Sequence, residues 1–530
     1  MFTDNQFMAQ TASGLYNFPI SNSLRFEDGD SAYLSRTPNA SNRKTWTWSG
    51  WVKRSTIATS NQNCFFGAWA NDNNRFKMNF YQDKIEVVHV SGGTSYNFKI
   101  TQLFRDVSAW YHIVLAVDTT QGTDTNRYKI YINGEQVTAF DNVSYPAQDF
   151  DGALNSAIEH THGESDGSAN YLDGYLAEVN FIDGTALTPS SFGETKNDIW
   201  IPKNTSGLTF GTNGFRLQFK QTGTGTASSS TIGADTSGET NHWTSNNLAA
   251  HDVVSDSPSS NFTTLNSLYN NASGVALSEG NLKYACSTNN RGIISNNQIP
   301  NNGKWYYEYR TITEQDQHII GINIPNFDND ASRGGAATAI GLTTWNGNSF
   351  NGSNYYQGAS YASAWANGSD VVGVAIDRVN NTIKFRIDNQ NSNAFYGTIA
   401  IGADTEYFAF LGTGGTTNEE AGVFNFGADS TFLGTETAGG NSDENGYGDF
   451  LYAVPDGYLA LVAQNFPIAA ETMDAAKGGS PQDYFNTVLY TGNGGDANSP
   501  QAITGVGFQP DFVWGKNRDA GKYHYLSDSV

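Results

Sequence analysis

Cysteine and charged residues are scarce in this chain, and each shortage excludes a class of protein. The only cysteines in the 530 residues are Cys64 and Cys286. They lie far apart, so we expect two buried or partly buried free thiols and no disulfide framework. Charged residues make up 15% of the chain, against about a quarter in an average protein. The abundant Asn, Ser, Thr and Gly together with 13% aromatic residues suit sheets and turns.

Basic residues are scarce relative to acidic ones. The chain has 29 Lys and Arg against 52 Asp and Glu, which gives a net charge of −23. Such a charge repels phosphate backbones and anionic membrane surfaces, so it argues against nucleic acid as a ligand. It is compatible with Ca²⁺ held by oxygen ligands, although acidity alone does not make a site.

Long apolar runs are also missing. No stretch approaches the roughly 18 uninterrupted apolar residues of a membrane span, and residues 1–24 lack the basic region and apolar run of a secretion signal. We therefore expect no membrane insertion, and synthesis in a cytosol either to remain there or to be released inside a particle. The length indicates several domains, because single cores stop growing at about 250 to 300 residues.

Short alternating runs fill the chain instead. Residues 112–117 (HIVLAV) and 128–132 (YKIYI) predict two antiparallel strands joined by a polar loop. The dipeptide Asn133-Gly134 predicts a type I′ turn and a third strand starting near Gln136. Comparable runs recur from Ser23 onward without a helical period, which is typical of an all-β sandwich or barrel.

Several motifs in the first 200 residues occur in a recognisable order. They are a W-Y-H strand at 110–117, a Y-I-N-G hairpin at 131–134 and a closing D-G-Y-L-A-E-V strand at 173–179. Together they resemble a concanavalin-A-like or laminin-G-like jelly roll. The form is similar to the lectin-like modules in tail and other virion proteins of marine bacteriophages.

A second set of motifs resembles a SPRY-like (B30.2-like) domain. It comprises W-Y-Y-E at 305–308, a G-V-A-I-D strand ending at Asp377 and F-N-F-G at 424–427, with Asn380-Asn381 as a predicted hairpin turn. Residues 507–514 (GFQPDFVW) resemble the opening of a further β domain of phage tail proteins, which in those relatives continues beyond the equivalent of Val530. The sequence is then either a short form or truncated.

These resemblances imply an all-β fold of tandem antiparallel β-sandwiches, the first lectin-like and the second SPRY-like, with an irregular connector and a short C-terminal β segment. The predicted boundaries are an N-terminal docking arm at 1–22, the jelly roll at 23–206, an irregular wrapped connector at 207–269, the SPRY-like sandwich at 270–467, and a linker with the start of a further β domain at 468–530.

The jelly roll also occurs in glucanases, which take paired carboxylates from E-x-D-x-x-E on one strand. Residues 164–169 (ESDGSA) and 314–319 (EQDQHI) begin this motif but have Ala169 and Ile319 in place of the second Glu. We expect polar loop or strand-edge roles for both. The G-x-S-x-G match at 163–167 is followed by a strand pattern, whereas a nucleophile elbow needs a helix there. We predict no catalytic residue and no enzyme.

The sequence contains only weak candidates for metal-binding residues. His160 and His162 would share one face of a strand and could bind a metal with Glu164, but an exposed polar strand end is the simpler interpretation. Turn stabilisation explains the carboxylates that could bind calcium more simply than a site does; these are Asp28, Asp30, Asp118 and Asp124. We predict no metal site and no cofactor, with Ca²⁺ the one ion that the composition would suit.

Aromatic residues within an Asn-, Ser- and Gly-rich stretch are the strongest binding candidates. Such surfaces stack sugars and offer adaptable hydrogen bonds, although the same aromatics could pack onto the sandwich beneath. The predicted glycan-binding residues are Trp345, Tyr355, Tyr356, Tyr361 and Trp365. A similar but weaker set is Trp69, Asn71, Asn73 and Asn74.

The functional hypothesis is a phage virion protein: a tail fibre, tail-tip protein or capsid-attached adhesin that binds host-surface glycan. Its partners would be other virion proteins and copies of itself, as a homotrimer by analogy with fibres. It would be located in the virion after assembly in the host cytoplasm. The alternatives are a polysaccharide depolymerase and a capsid decoration or cement protein without a ligand.

Overall fold

The structure is a computed structural model of the chain. It describes residues 15–57, 63–167, 169–269, 274–287, 291–313, 317–325, 338–343, 349–351, 354–356, 370–387, 395, 398–414, 420–466, 484–494, 501–518, 521 and 523–528. Two compact units divide the chain, at 1–466 and 467–530.

The first sandwich consists of two eight-stranded antiparallel sheets. Its strands and the neighbouring hairpin are β1 (Ser23–Phe26), β2 (Tyr33–Arg36), β3 (Thr45–Arg54), β4 (Asn63–Asn71), β5 (Asn74–Tyr81), β6 (Lys84–Ser91), β7 (Thr94–Ile100), β8 (Tyr111–Asp118), β9 (Tyr128–Ile132), β10 (Glu135–Gln136), β11 (Phe140–Val143), β12 (Glu159–His162), β13 (Gly174–Asp183), β14 (Gly193–Lys196), β15 (Ile199–Pro202), β16 (Phe215–Leu217), β17 (Thr244–Asn246) and β18 (Val253–Val254). The first sheet has the order β10-β9-β8-β3-β13-β1-β18, with β16 beside β13, and the second β11-β7-β6-β5-β4-β12-β2-β17. The hairpin β14-β15 forms a separate two-stranded sheet.

Aromatic side chains from both sheets fill the core between them. Alternate residues of β3 point inward, so Trp46 and Trp48 meet the second sheet. The Trp46 ring lies 5.7 Å from Phe76, and the Trp48 ring stacks 5.9 Å from Phe66. The core is therefore built from the Trp-x-Trp alternation of one strand against the Phe residues of its partners.

The predicted tight turn between β9 and β10 is confirmed. Asn133 and Gly134 have φ values of 48° and 87°, as a type I′ turn requires, and β10 begins at the next residue. Asn133 also accepts a hydrogen bond from the backbone N–H of His112 at 2.8 Å, which ties the turn to β8.

The second sandwich pairs an eight-stranded with a six-stranded sheet. Its strands are β19 (Val275–Ser278), β20 (Lys283–Cys286), β21 (Arg291–Ile299), β22 (Lys304–Thr313), β23 (Gln317–Asn323), β24 (Ile340–Thr343), β25 (Ser349–Asn351), β26 (Asn354–Tyr356), β27 (Val371–Asp377), β28 (Thr382–Ile387), β29 (Ile399–Ala400), β30 (Tyr407–Gly414), β31 (Glu420–Asn425) and β32 (Leu459–Ala460). The sheet orders are β19-β20-β31-β22-β27-β28-β29, with β32 beside β22, and β21-β30-β23-β24-β25-β26. Short 3₁₀ turns lie at Asp124–Asn126, Pro189–Ser191, Ala250–Asp252 and Ala463–Asn465.

Glu308 shows why an acidic residue lies in the core strand β22. The fully buried carboxylate accepts hydrogen bonds from the backbone N–H groups of Leu451 and Tyr452, each at 2.9 Å, and from the Tyr306 hydroxyl at 3.0 Å. Burial raises its pKa, although these hydrogen bonds and Arg386 oppose that shift. Glu308 therefore fastens an irregular segment onto the sheet.

The stretch expected to be an irregular connector, 207–269, contributes strands to the first sandwich. Its strands β16, β17 and β18 pair with β13, β2 and β1, so both sheets gain strands from it. Trp243, which precedes β17, is 1% exposed and packs 5.0 Å from the Phe215 ring. The apolar residues of this polar stretch thus have a packing role.

The unit at 467–530 contains the antiparallel strands β33 (Phe512–Gly515) and β34 (Tyr525–Asp528). Elsewhere in the chain, Cys64 and Cys286 are buried free thiols, as predicted. In the part of the chain that the structure describes, no helix is long and apolar enough to cross a membrane.

Candidate functional site

The outward surface formed by β4 to β7 of the second sheet carries mainly polar side chains around Val88 and Val90, with an aromatic side chain at each end. Phe76, Met78 and Phe80 of β5 point into the core, so the alternating residues of this strand face outward. The register places Glu86 of β6 opposite both Asn79 and Lys99. We call this surface the polar face; it comprises Trp69, Arg75, Lys77, Asn79, Tyr81, Glu86, Asn97 and Lys99.

A loop, described at residues 163–167 and 169–171, borders the polar face on the side of β4. Its Asp166 forms an ion pair with Lys77 at 3.0 Å, and its Asn170 carbonyl accepts a hydrogen bond from the Cys64 N–H at 2.9 Å. Beside this loop Asn79 is fully buried and Lys77 is 6% exposed, although both point away from the core. The loop thus makes one wall of the polar face.

A hydrogen bond and two cation–ring contacts join the other side chains of the polar face in pairs. The Asn97 amide donates to Glu86 Oε1 at 2.7 Å. The Lys99 ammonium lies 4.7 Å from the centre of the Tyr81 ring, and the Arg75 guanidinium 5.8 Å from that of Trp69. Cations held on aromatic rings keep both ring systems ordered at the ends of the face.

Some buried polar atoms of this face have no hydrogen-bond partner among the described residues. They are Arg75 Nε, Asn79 Nδ2, Asn79 Oδ1 and Asn97 Oδ1. Buried polar groups are nearly always paired, and an unpaired one costs about 1 to 3 kcal/mol. These atoms themselves have almost no exposed surface, so an enclosed water could pair with them, whereas a ligand would meet the half-buried side chains of Arg75 and Asn97.

Part of the weaker predicted glycan-binding set lies at one end of this face. Trp69 belongs to it, and Asn74 accepts a hydrogen bond from the Gly92 N–H at 3.2 Å. Asn71 accepts from the Asn73 N–H at 3.0 Å within the β4-β5 turn. Sequence reasoning missed Asn79, Glu86 and Asn97, whose only signal was polar residues alternating with apolar ones on neighbouring strands.

The stronger predicted set stays a prediction. Tyr355 and Tyr356 lie in β26, and their side chains are not described. Trp345, Tyr361 and Trp365 lie outside the described residues.

The described residues of the partial catalytic motifs, 163–167 and 169, occupy a hairpin beside the sheet. Ser165 and Ala169 exchange backbone hydrogen bonds at 3.0 Å, so Ser165 is not on a strand-to-helix elbow. Asp166 is held by Lys77, and Glu164 is buried. Glu314 and Asp316 of the second motif lie outside the described residues.

The expectation that His160 and His162 form an exposed strand end is wrong. They are 5% and 0% exposed, because the face of β12 that they share is the inner one. His162 packs 4.8 Å from Phe66 and 4.7 Å from Trp243. Burial lowers the pKa of His160 to about 4 and that of His162 to about 3, so both rings are neutral core residues at pH 7.

Among the described residues, no group of three or more His, Cys, Asp and Glu side chains is placed to hold a metal ion. Asp118 accepts hydrogen bonds from the Thr120 hydroxyl at 2.6 Å and the Gln121 amide at 2.6 Å. Burial alone would raise the pKa of Asp118, but these hydrogen bonds lower it on balance. This is the turn stabilisation that the sequence predicted.

Comparison with protein families supports the lectin-like description of the first sandwich. A laminin-G family model described as the concanavalin A-like lectin/glucanases superfamily matches residues 27–193. A second model, described as a domain of unknown function (DUF7483), matches residues 480–530. No curated protein matches the chain.

Solved structures similar to the chain include a putative carbohydrate binding protein from Bacteroides ovatus, with 16% identity, a TM-score of 0.30, and coverage of 43% of this chain and 59% of that one. Domains LG4-5 of the mouse laminin alpha1 chain are 11% identical with a TM-score of 0.28, over 78% of this chain and 89% of that one. The SPRY domain of human HERC1 is 12% identical with a TM-score of 0.22, over 28% and 91%. The chain thus spans 59% of the length of the Bacteroides protein.

Proposed function

We propose that the chain is a glycan-binding protein and that the polar face of its first sandwich holds the sugar. The observation that carries the proposal is the outward sheet surface on which the half-buried Asn97 lies between Trp69 and Tyr81, with Asn97 Oδ1 unpaired among the described residues. This surface belongs to a domain that a lectin superfamily model matches.

The chemistry of the polar face suits a carbohydrate. A side-chain amide presents a donor and an acceptor side by side, and sugar hydroxyl groups both donate and accept. Glu86 adds an acceptor between Asn79 and Asn97, and Lys99 adds a donor. Trp69 and Tyr81 supply apolar surfaces on which the C–H groups of a sugar ring could stack.

Glycan-array binding followed by calorimetric titration of a bound glycan tests the site. We expect Trp69→Ala and Asn97→Ala each to weaken affinity about tenfold, which corresponds to the loss of one ring contact or hydrogen bond, about 1.4 kcal/mol. The matched control is Asn126→Ala, an exposed amide in a 3₁₀ turn away from the face, which should bind as the unaltered chain does.

The same experiment separates the two candidate surfaces. A triple variant with Tyr355, Tyr356 and Trp365 changed to Ala removes the aromatic stretch of the second sandwich. Binding that is lost in the triple variant and retained in Trp69→Ala would place the site there and overturn the polar face as the binding surface. Release of reducing sugar that Glu86→Gln abolishes would show a depolymerase and overturn the binding function.

The proposal extends to the particle in which the protein would act. The resemblance of residues 23–203 to phage virion modules supports a tail fibre, tail-tip protein or capsid-attached adhesin that binds host-surface glycan, as a homotrimer in contact with other virion proteins. Immunogold labelling of purified particles and light scattering of the pure protein test location and mass. Protein that is absent from particles, or is monomeric, would contradict this part.

A further inference from the structure

A turn of the second sandwich is docked into the first. The turn joins β19 to β20, and its residues Glu279, Gly280 and Asn281 all have positive φ, at 55°, 69° and 65°. The Gly280 carbonyl accepts from the Tyr175 hydroxyl at 3.0 Å, and the Asn281 amide donates to the Ser55 carbonyl at 2.8 Å. We call residues 279–281 the docking turn.

The docking turn meets a buried cation. The Arg25 side chain is fully buried and lies 3.2 Å from Asp252, 3.4 Å from Glu279 and 3.9 Å from Asp429. Burial alone would lower the pKa of Arg25, but Glu279, Asp252 and Asp429 raise it on balance. One guanidinium thus joins β1, the connector and two turns of the second sandwich.

Two further carboxyl groups, those of Glu27 and Asp173, lie near Glu279. Neither forms an ion pair of its own among the described residues. Glu27 Oε2 accepts a hydrogen bond from the Glu279 N–H at 2.5 Å. Asp173 is 7% exposed, and its Oδ1 is buried without a hydrogen-bond partner among the described residues. β1 and β13 pair with Phe26 opposite Gly174, so Glu27 and Asp173 are the next residues on the two strands and lie at the same end of this strand pair.

The cations around the cluster are already engaged. Arg54, the basic group that acts on Asp173, also lies 3.7 Å from Asp83. Lys53 forms its own ion pair with Asp256 at 2.8 Å. The carboxyl groups at the junction therefore outnumber the guanidinium groups that are free to neutralise them, and buried like charges favour protonation of one group.

This arrangement raises the pKa values of Glu27 and Asp173. Burial is the main cause that raises the pKa of Glu27 to about 7, with Glu279 and Asp28 adding to it and hydrogen bonds from the Glu279 and Gly29 N–H groups opposing it. Burial also raises the pKa of Asp173 well above its usual range, with Glu27, Asp28 and Glu279 adding and Arg54 opposing.

We propose that this junction is a proton-operated latch: a proton held by the carboxyl cluster of Glu27 and Asp173 keeps the docking turn seated on the first sandwich, and loss of that proton loosens the junction. The latch is independent of the glycan-binding function. Because the pKa of Glu27 is raised in the docked state, its contribution to docking is complete below its ordinary value of 4.5 and declines as pH rises to about 7.

Hydrogen–deuterium exchange of the full chain, followed on the peptide that contains residues 274–287, tests the latch. After correction for the intrinsic pH dependence of exchange, opening of the docking turn should increase by about tenfold per pH unit between about pH 5 and 7, because one proton is released. Glu27→Gln keeps an acceptor for the Glu279 N–H and mimics the protonated acid. We expect it to remove this slope and to hold the turn more tightly than Glu27 does at pH 8.

Three further variants complete the test. Asp173→Asn should flatten the same slope, so the test stands even if one variant folds poorly. The matched control Glu135→Gln, an exposed carboxyl on β10, should leave the slope as it is. Gly280→Ala is the reference for an open latch, because the added Cβ would collide with the Tyr175 hydroxyl at a position of positive φ.

Three outcomes would overturn the latch. An unchanged slope in both Glu27→Gln and Asp173→Asn would show that neither group carries the proton. If the docking turn opened more in Glu27→Gln than in the unaltered chain, and by the same factor at every pH, Glu27 would serve only as a hydrogen-bond acceptor. Tightening of the unaltered chain by millimolar Ca²⁺ at pH 8, absent in Glu27→Gln, would show that a cation completes the cluster.

Discussion

At the scale of single residues, hydrogen bonding fixes the charge of three buried histidines. Each accepts an N–H donor at one ring nitrogen: His112 Nδ1 from Trp200 at 3.0 Å, His160 Nε2 from Asn155 at 3.0 Å and His89 Nε2 from Ala153 at 2.5 Å. A protonated ring has no acceptor nitrogen, so protonation would set two donors against each other. Burial lowers the pKa of His89 and His112 to about 3 accordingly.

These histidines predict a loss of stability in mild acid. Their pKa values are lowered in the fold, so their contribution is present above the ordinary value of 6.5 and declines as pH falls through it toward the folded values. Each should remove about 1.4 kcal/mol of unfolding free energy per pH unit below about pH 6. His112→Asn keeps an acceptor for the Trp200 N–H. Between pH 6 and 4.5, we expect the unfolding free energy of this variant in urea to fall by about 1.4 kcal/mol less per pH unit than that of the unaltered chain.

The comparison between variants isolates this effect from the carboxyl cluster, which acts in the opposite direction. Asn126→Ala, at an exposed amide that does not titrate, is the control and should keep the full slope. An identical pH dependence in His112→Asn and the unaltered chain would show that His112 is not the group that titrates.

At the scale of elements, the turn after β9 should be intolerant of a side chain. Gly134 has a φ of 87°, and an added Cβ would meet the Trp200 ring. We expect Gly134→Ala to lower the unfolding free energy by about 1 to 3 kcal/mol, through backbone strain and displacement of Trp200. Gly122→Ala, at an exposed glycine with open space around it, should change it by less than about 0.5 kcal/mol. Urea unfolding monitored by tryptophan fluorescence measures both, and equal effects would contradict the role of the turn.

Local structure was predictable from the sequence to the extent that one strand or turn encodes it. The Asn133-Gly134 turn and the strands around it follow from residue spacing alone. The same spacing shows that His160 and His162 share a face, but which face is buried depends on the partner sheet, so their exposure was predicted wrongly. The polar face has the same limit, because Asn79, Glu86 and Asn97 become neighbours only through strand register.

At the scale of the whole molecule, the decisive contacts join residues that are far apart in the chain. Glu27 and Glu279 are separated by 252 positions, and Ser55 and Asn281 by 226. Nothing in the local pattern around Glu279 (S-E-G-N) distinguishes a docking turn from an exposed hairpin loop. Long-range pairing of this kind required the structure, and it makes the two sandwiches dependent on each other.

We expect the two sandwiches to unfold together. Cys64 lies in the first and Cys286 in the second, and both thiols are buried, so each can report the opening of its own sandwich. Thiol labelling at increasing urea concentrations, performed on Cys64→Ala and Cys286→Ala single-thiol chains, should give one midpoint for both at pH 7.

Arg25→Ala should separate the two midpoints. The substitution leaves Asp252 and Glu279 buried without their cation, and such a loss costs about 3 to 5 kcal/mol. Arg105→Ala, whose side chain is 63% exposed beside Asp83, should keep one common midpoint. Distinct midpoints in the unaltered chain would show that each sandwich folds by itself. A common midpoint in Arg25→Ala would show that contacts other than Arg25 couple them, since the strands of residues 207–269 would then suffice to transmit unfolding from one sandwich to the other.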